Sequence, residues 1–198
     1  MYYLINEWTS DDERLRDDLE QIGIPIQPLQ IENILDFIFS NRKVNSPLHM
    51  TGLSLPPFWE VYANGDIVSN GVRRGRIDCY QDYSQRVKKV EWYSPDDNCS
   101  TCDYYDLSGR LFLKEVWSAN ECHLSVYTND KMGKLHLFHQ HDRALYQTTD
   151  GLEQGFSSIE EAKKALLQEV LLQVETVFLS DPELLKALPK LAKEQIIF

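Results

Sequence analysis

Read for the alternation of apolar and polar positions, the chain changes character twice. Residues 2 to 8, YYLINEW, have the apolar and aromatic density of a strand, and Ser10 with Glu13 three positions later forms a capping box that opens a helix. Leu15, Leu19 and Ile22 give that helix an apolar stripe. Gly23 and Pro25 end it, and IPIQPLQI follows as a second extended stretch. Strand, helix and strand in this order predict the beginning of a parallel α/β layer. The turn after the first strand, Asn6-Glu7-Trp8-Thr9-Ser10-Asp11, is acidic and bulky. A phosphate-cradling loop needs glycine backbone and no negative charge, so the turn argues against a nucleotide site.

From Pro57 to about Thr149 the pattern becomes a succession of short strands separated by turn residues, at the spacing of an all-β meander. FWEVYA, GRIDCYQ, RVKKVEWYS, STCDYYD, RLFLKEVW, HLSVYT, KLHLFHQ and ALYQTT are rich in aromatic and β-branched residues. Between them lie turn signals such as Ala63-Asn64-Gly65-Asp66, Leu107-Ser108-Gly109-Arg110 and Ser118-Ala119-Asn120-Glu121. Strict alternation places Lys88, Val90 and Trp92 on one side of their strand and Val87, Lys89, Glu91 and Tyr93 on the other. Likewise Leu111, Leu113 and Glu115 lie opposite Phe112, Lys114 and Val116. Neither side is purely apolar. Such mixed sides predict a sheet only partly covered by helices, with aromatic and charged side chains displayed on an open surface.

After Gly155 the period turns helical. Ser158 and Glu161 form a second capping box, followed by Ile159, Ala162, Leu166, Val170, Val174 and Val177 at helical spacing. Asp181-Pro182 opens a shorter helix with Leu184, Leu185 and Leu188 inward. The closing QIIF reads as a strand that either pairs into a sheet or leads into a further domain. The expected fold class is therefore α+β, a long antiparallel β-meander with an N-terminal strand-helix-strand piece and C-terminal helices. The expected boundaries are 1–50 for the α/β segment, 51–155 for the extended sheet and 156–198 for the C-terminal helices and strand.

Composition adds limits. With 198 residues, 42% of them hydrophobic and 26% charged, the chain can bury an ordinary core without disulfides. No apolar run spans a bilayer, and the N-terminus lacks the basic start and cleavage site of a secretory signal. This reads as cytoplasmic. A formal charge of −11 repels nucleic acid and anionic lipid, so no nucleic-acid partner is expected. Arg73, Arg74 and Arg76, with Lys88 and Lys89 on the next strand, are the one basic cluster that could gather as a local spot. Cys99-Ser-Thr-Cys102 has the spacing of a zinc knuckle, but Cys79 and Cys122 are isolated and supply no second knuckle. His136, His139 and His141 offer a second ligand set, of which only His139 and His141 share a side in a strand. Free thiols and ordinary histidines are the reading, with no metal and no cofactor. The sequence has no G-x-S-x-G elbow, H-E-x-x-H pair or P-loop.

The order LINEWTSDDERLRDDLEQIG, LPPFWEVYANGD, VRRGRIDCYQDYSQRVKKVEWYSPD and CDYYDLSGRLFLKEVWSANECHLSVYTND resembles the N-terminal half of a known subunit. It is the GtfB-type subunit of the two-component O-GlcNAc transferase that modifies serine-rich-repeat adhesins in Gram-positive bacteria. The resemblance runs over about residues 1–170, most specifically at Pro-Pro-Phe-Trp-Glu, Arg74-Gly75-Arg76-Ile77 and Val90-Glu91-Trp92-Tyr93. It implies a catalytically inactive glycosyltransferase homologue that stabilises a catalytic glycosyltransferase subunit and helps bind a serine-rich acceptor polypeptide. It also implies an extended β-sheet inserted near the start of a Rossmann-like half, and leaves room for peripheral membrane association of the complex and for homo-oligomers. The chain is too short for a full pair of Rossmann-like domains, so the binding role is what the resemblance implies, with catalysis in another chain. The alternative is an oligomerisation or acceptor-binding domain of a catalytic glycosyltransferase, of polypeptide or teichoic-acid type, whose active-site domains lie beyond these residues. By residue type, the expected partner- or acceptor-binding set is Arg73, Arg74 and Arg76 with Trp92, Tyr93, Tyr104, Tyr105, Trp117 and Tyr127.

Overall fold

The computed structural model describes residues 2–5, 17–18, 21, 27–30, 34–40, 46–80, 85–95, 98–171, 177–179 and 196–197. The chain divides into two compact units, Met1–Ile38 with Glu160–Phe198, and Phe39–Ile159. In chain order the first elements are β1 (Tyr2–Ile5), β2 (Gln27–Gln30), the short helix α1 (Ile34–Phe39), β3 (Glu60–Val61), β4 (Asp66–Ser69) and β5 (Val72–Cys79). Next come β6 (Val87–Tyr93), β7 (Cys99–Tyr105), β8 (Leu111–Ser118), β9 (Glu121–Asn129) and β10 (Gly133–Phe138). The last are β11 (Arg143–Gln147), β12 (Glu153–Phe156), the helix α2 (Ile159–Leu171), β13 (Val177–Leu179) and β14 (Ile196–Ile197).

The terminal unit holds a four-stranded sheet in the order β14-β13-β1-β2. All its pairings are parallel, with Leu4 opposite both Leu29 and Leu179. The α/β beginning expected from the first thirty residues is thus present as strands, while Leu15, Leu19 and Ile22 of the intervening helix lie outside the described residues. The helical period expected to run on to Val177 does not reach it. Val177 opens β13 and pairs with Tyr2, because a β-branched and aromatic segment beside a preformed strand gains more from the ladder than from another helical turn. The helix expected after Asp181-Pro182 lies outside the described residues. Within the terminal QIIF, Ile196 and Ile197 align with Val177 and Phe178.

The second unit is a ten-stranded sheet in which each strand pairs with its chain neighbour, β3 through β12, antiparallel throughout. The α+β class with a long meander is therefore what forms. Two strands, β4 and β12, escape the sequence pattern because each is only four residues long and sits among turn residues. The turns behave chemically as their residues dictate. Ala119 and Asn120, at φ +50° and +62°, make the left-handed pair of a tight hairpin between β8 and β9. At the β7–β8 turn, the buried Asp106 carboxylate accepts from Ser108 N (2.9 Å), Ser108 Oγ (2.6 Å) and Arg110 N (3.1 Å). Gly109, at φ +77°, is pressed there so closely that a Cβ would lie 2.4 Å from Leu48 N.

Each ladder from β4–β5 to β8–β9 carries one register shift. A bulge inserts a residue and reverses the side on which everything beyond it points. Simple alternation therefore fails for RVKKVEWY: Asp78 pairs with Lys89 but Cys79 with Val87, so Lys88 is the extra residue and Val87 joins Val90 on one side.

Following paired residues across the strands defines two sides. On side one, the row Ile77, Val90, Asp103, Lys114, Val126, His136, Leu145 and Gly155 runs from β5 to β12. On side two, the matching row is Arg76, Glu91, Cys102, Glu115, Ser125, Leu137, Ala144 and Phe156. Side one is buried at its β4–β6 end, where Ile67, Ile77, Val87 and Val90 form a core under Leu48, Met50, Leu53, Leu55 and Trp59. Side two is buried at the opposite end, where Leu113, Leu135, Leu137, Ala144, Tyr146 and Phe156 are all inaccessible. The covered side changes at β7, whose neighbours Cys102 and Asp103 point to opposite sides and are both buried.

Ile67, fully buried in the side-one core, and Val72, 45% exposed on the neighbouring strand β5 opposite Ser69, make a contrasting pair. Urea unfolding is expected to show Ile67→Ala lowering stability by about 2–5 kcal/mol and Val72→Ala changing it by less than about 0.5 kcal/mol.

Candidate functional site

The open part of side two, over β4 to β8, carries a continuous polar network. Arg73 Nε lies 3.0 Å from Asp66 Oδ1, and Arg73 Nη2 donates to Tyr93 OH at 3.3 Å. Tyr93 OH donates to Glu91 Oε2 (2.9 Å), and Lys89 Nζ donates to Glu91 Oε1 (2.6 Å). Lys89 also reaches Asp78 Oδ2 at 3.3 Å, and Asp78 Oδ1 meets Arg76 Nε at 3.6 Å. Three cations and three carboxylates thus alternate across β4, β5 and β6 and cancel in charge. One strand further, Tyr104 OH and Trp117 Nε1 both donate to Glu115 Oε2, at 2.9 and 3.1 Å. An open hollow of about 460 Å³ beside this network is lined by Asp78, Lys88, Lys89 and Tyr104, with Cys79 and Tyr80 at its margin.

These contacts set the ionisation of the groups. Burial works to raise the Glu91 carboxyl, but the hydrogen bonds from Lys89 and Tyr93 outweigh it and hold the group below its ordinary value. Burial likewise works against the Lys89 ammonium, and the bonds to Glu91 and Asp78 hold it above its ordinary value. The Tyr93 phenol is pushed up to about 12, by burial first and then by the Glu91 carboxylate. Tyr104 is raised by burial and by Glu115.

Five of the nine expected binding residues, Arg73, Arg76, Tyr93, Tyr104 and Trp117, come together on this open side. Tyr127 shares the side farther along, with its ring 5.5 Å from that of Phe39. Trp92 and Tyr105 point elsewhere, packing against the side-one core; Trp92 donates to Asp103 Oδ2 at 2.8 Å and faces Trp59. Arg74 is half-buried at the extra position of the β4–β5 bulge. The basic cluster is thereby resolved into ion-paired strand residues at Arg73, Arg76 and Lys89. Residue type did not point to the carboxylates Asp66, Asp78, Glu91 and Glu115, which organise the network. Their signal is cross-strand register, visible only once the bulges are placed.

The remaining chemistry-bearing groups have structural partners. A bulge at Ser100 puts Cys99 and Cys102 on one side despite their odd spacing, with Sγ atoms 3.4 Å apart and the Cys102 thiol raised by burial and by Cys99. The strand expected through His139 ends at Phe138, and His139–His141 form a 3-10 turn instead. His139 Nε2 sits 2.8 Å from Ser125 Oγ, but Ser125 is buried, so this pair presents no nucleophile to a substrate. Among the described residues no three His, Cys, Asp or Glu side chains gather into a metal-holding group. Nor is any described helix long and apolar enough to cross a membrane. What the open side offers chemically is a set of guanidinium groups, phenols, an indole and carboxylates that hold one another in place.

A neighbour-paired ten-stranded antiparallel meander with an interlocked polar side, in a chain that also holds a small parallel sheet, defines an α+β protein of the extended-sheet class. The GtfB middle-domain family model matches residues 59–157, half of the 198-residue chain, and spans β3 through β12; the chain belongs to this family. Similar folds occur in three solved assemblies. A crystal structure of a GtfA/B complex bound to UDP and GlcNAc contains a chain with TM-score 0.71 and 18% identity, over 91% of this chain and 44% of that one. Accessory secretory proteins 1, 2 and 3 of Streptococcus pneumoniae give TM-score 0.72 and 9% identity, over 98% and 50%. The glycosylation-associated Gap123 complex of Streptococcus agalactiae gives TM-score 0.60 and 11% identity, over 88% and 37%. The chain thus spans half or less of the length of these structural relatives. No curated protein sequence matches it.

The Lys89–Glu91 pair stabilises the fold only while both groups are charged. With Glu91 lowered and Lys89 raised, its contribution is full between about pH 4.3 and about pH 10.4, the unfolded-state values. It is lost as pH falls through the lowered Glu91 value and again as pH rises through the raised Lys89 value. Urea midpoints measured across pH are expected to drop at both ends in the wild type. In Lys89→Met both shoulders should flatten relative to the wild type.

Proposed function

We propose that this chain forms the sheet-bearing part of a non-catalytic GtfB-type subunit in a complex that glycosylates serine-rich proteins. In this reading it stabilises a catalytic glycosyltransferase partner and helps hold a serine-rich acceptor polypeptide. The observation that supports it most is the coincidence of the family match at residues 59–157 with the meander β3–β12. That meander leaves a rigid side of Arg73, Arg76, Tyr93, Tyr104 and Trp117 open to a partner. Arg and aromatic residues dominate the energetic centres of protein interfaces, since they bury much area at little conformational cost. Hydroxyl-rich extended peptides offer both donors and acceptors to the phenols and carboxylates of the same network. The similar fold found in a GtfA/B complex bound to UDP and GlcNAc is consistent with a place in such a complex. Transfer chemistry belongs, in this reading, to the partner.

The experiment is co-purification of the chain with a GtfA-type catalytic subunit, comparing the wild type with Arg76→Glu and Trp117→Ala. Both positions are on the open side, and circular dichroism establishes that the variants are folded. Each substitution is expected to weaken association by roughly tenfold, the size of a moderate interface contribution. Unchanged association of both folded variants contradicts the assignment. So does hydrolysis or transfer of UDP-GlcNAc by the isolated chain.

A further inference from the structure

In a regular strand, residues three apart point to opposite sides of the sheet. Cys99 and Cys102 do not: Trp92 pairs with Thr101 but Tyr93 with Cys99, so Ser100 is an extra residue and both thiols emerge on side two. Their Sγ atoms lie 3.4 Å apart. The bulge that creates the pair is itself pinned, because Ser100 Oγ donates to Trp92 O at 3.0 Å.

The reduced pair is internally satisfied. Cys99 Sγ donates to Thr101 O at 3.6 Å, which leaves its lone pairs to accept from the Cys102 thiol. Burial, and then the Cys99 sulfur, hold the Cys102 thiol above its ordinary value, so it stays protonated as that donor. The two sulfurs also differ in access. Cys99 is half-buried, whereas Cys102 is 4% exposed. The other two cysteines have different surroundings: Cys79 packs against the side-one core, and Cys122 donates to Leu124 O at 3.7 Å and lies 3.6 Å from Ser125 Oγ. A disulfide brings its sulfurs to about 2.05 Å. Ser100, outside the ladder, is where the strand can give to close the remaining gap.

We propose that Cys99 and Cys102 form a reversible thiol–disulfide site, oxidised by a low-molecular-weight disulfide of the glutathione class. Cys99, the more accessible of the two, attacks as its thiolate on one sulfur of the oxidant; the oxidant's S–S bond breaks, and one small thiolate leaves and takes up a proton. Cys102 then gives up its proton and attacks Cys99 Sγ, which displaces the second small thiol. Two protein thiols are oxidised and one small disulfide is reduced to two thiols, with the protons passing from the protein to them. The site lies between the two parts of the polar network. Cys99 and Cys102 pair with Tyr93 and Glu91 on β6, and Cys102 also pairs with Glu115 on β8. Closing the bridge therefore acts on the strand between those parts, and it requires neither the partner nor the acceptor proposed above.

The test equilibrates the full chain in glutathione buffers that run from reducing to strongly oxidising, caps the remaining thiols with iodoacetamide and weighs the tryptic peptides. The peptide 90–110 holds Cys99, Cys102 and no other cysteine. On oxidation it is expected to lose both labels and two hydrogens, and to regain both labels when excess reduced glutathione precedes capping. Cys102→Ser is expected to trap glutathione on Cys99, whereas Cys99→Ser should leave Cys102 unmodified in the folded chain. A bridge that takes in Cys79 or Cys122 instead, or a wild-type chain that holds glutathione on Cys99 without closing, overturns the proposal. So does a peptide 90–110 that keeps both labels at the most oxidising ratio. Glutathione on Cys102 in a Cys99→Ser chain whose circular dichroism matches the parent overturns it as well.

Discussion

The organisation of the meander depends on one constraint at β7: a single strand must be buried on both sides. Cys102 and Asp103, adjacent in the chain, are 4% and 7% exposed and point in opposite directions. On one side Asp103 closes the core that begins at Ile77 and Val90; on the other Cys102 begins the rows that end in Leu137, Ala144 and Phe156. A carboxylate in that place is costly unless it is satisfied. Trp92 Nε1, from the covered end, donates to Oδ2 at 2.8 Å, and the Lys114 ammonium, from the open end, lies 3.0 Å from Oδ1 and offsets its charge without a well-aligned hydrogen bond. Because cover passes from side one to side two at this strand, each half of the sheet leaves a different side in contact with solvent.

The two exposed areas differ in kind for the same reason. Beyond the β4–β6 core, the reverse side faces water directly, and it is stocked with charged and phenolic groups that satisfy one another. Partly exposed pairs of this kind contribute little individually. Their value is in geometry, since Arg73, Tyr93, Glu91, Lys89 and Asp78 are each held by two neighbours, which fixes the pattern of exposed groups. At the β8–β12 end the exposed side keeps apolar residues in its rows, with Lys134, Arg143, Glu121 and Glu153 around them. A chain with a formal charge of −11 thereby offers one neutral polar surface and one apolar surface with charges of both signs at its edges.

Much of this architecture was legible in the sequence. Strand-rich segments between turn residues predict the meander, and the motifs VRRGRID and VEWYSPD lead to the family that the middle-domain match establishes. The short strands Asp66–Ser69 and Glu153–Phe156 were not legible, because four residues beside Gly-containing turns carry too little alternation. Side assignment failed wherever a bulge intervened. Lys88 was expected to share a side with Val90 and Trp92, yet it is the inserted residue, and Val87 takes that side. Where no extra residue intervenes, alternation held: Trp92 packs on the core while Tyr93, on the opposite side as expected, joins Arg73 and Glu91 on the surface. Val177 shows the other failure, a helical period overruled by a strand partner far away in sequence, Tyr2. Residue type found the arginines and aromatics, whereas the acids that orient them emerge only from pairing across strands.

The proposed function places partner binding in the meander and transfer chemistry in the partner. Amide hydrogen exchange followed by mass spectrometry, on the full chain alone and with a GtfA-type catalytic subunit, reads this segment by segment. The account predicts new protection on strands between Glu60 and Phe156 when the partner is present. Protection confined to Tyr2–Gln30 and the residues after Ile159, with the meander unchanged, would contradict it.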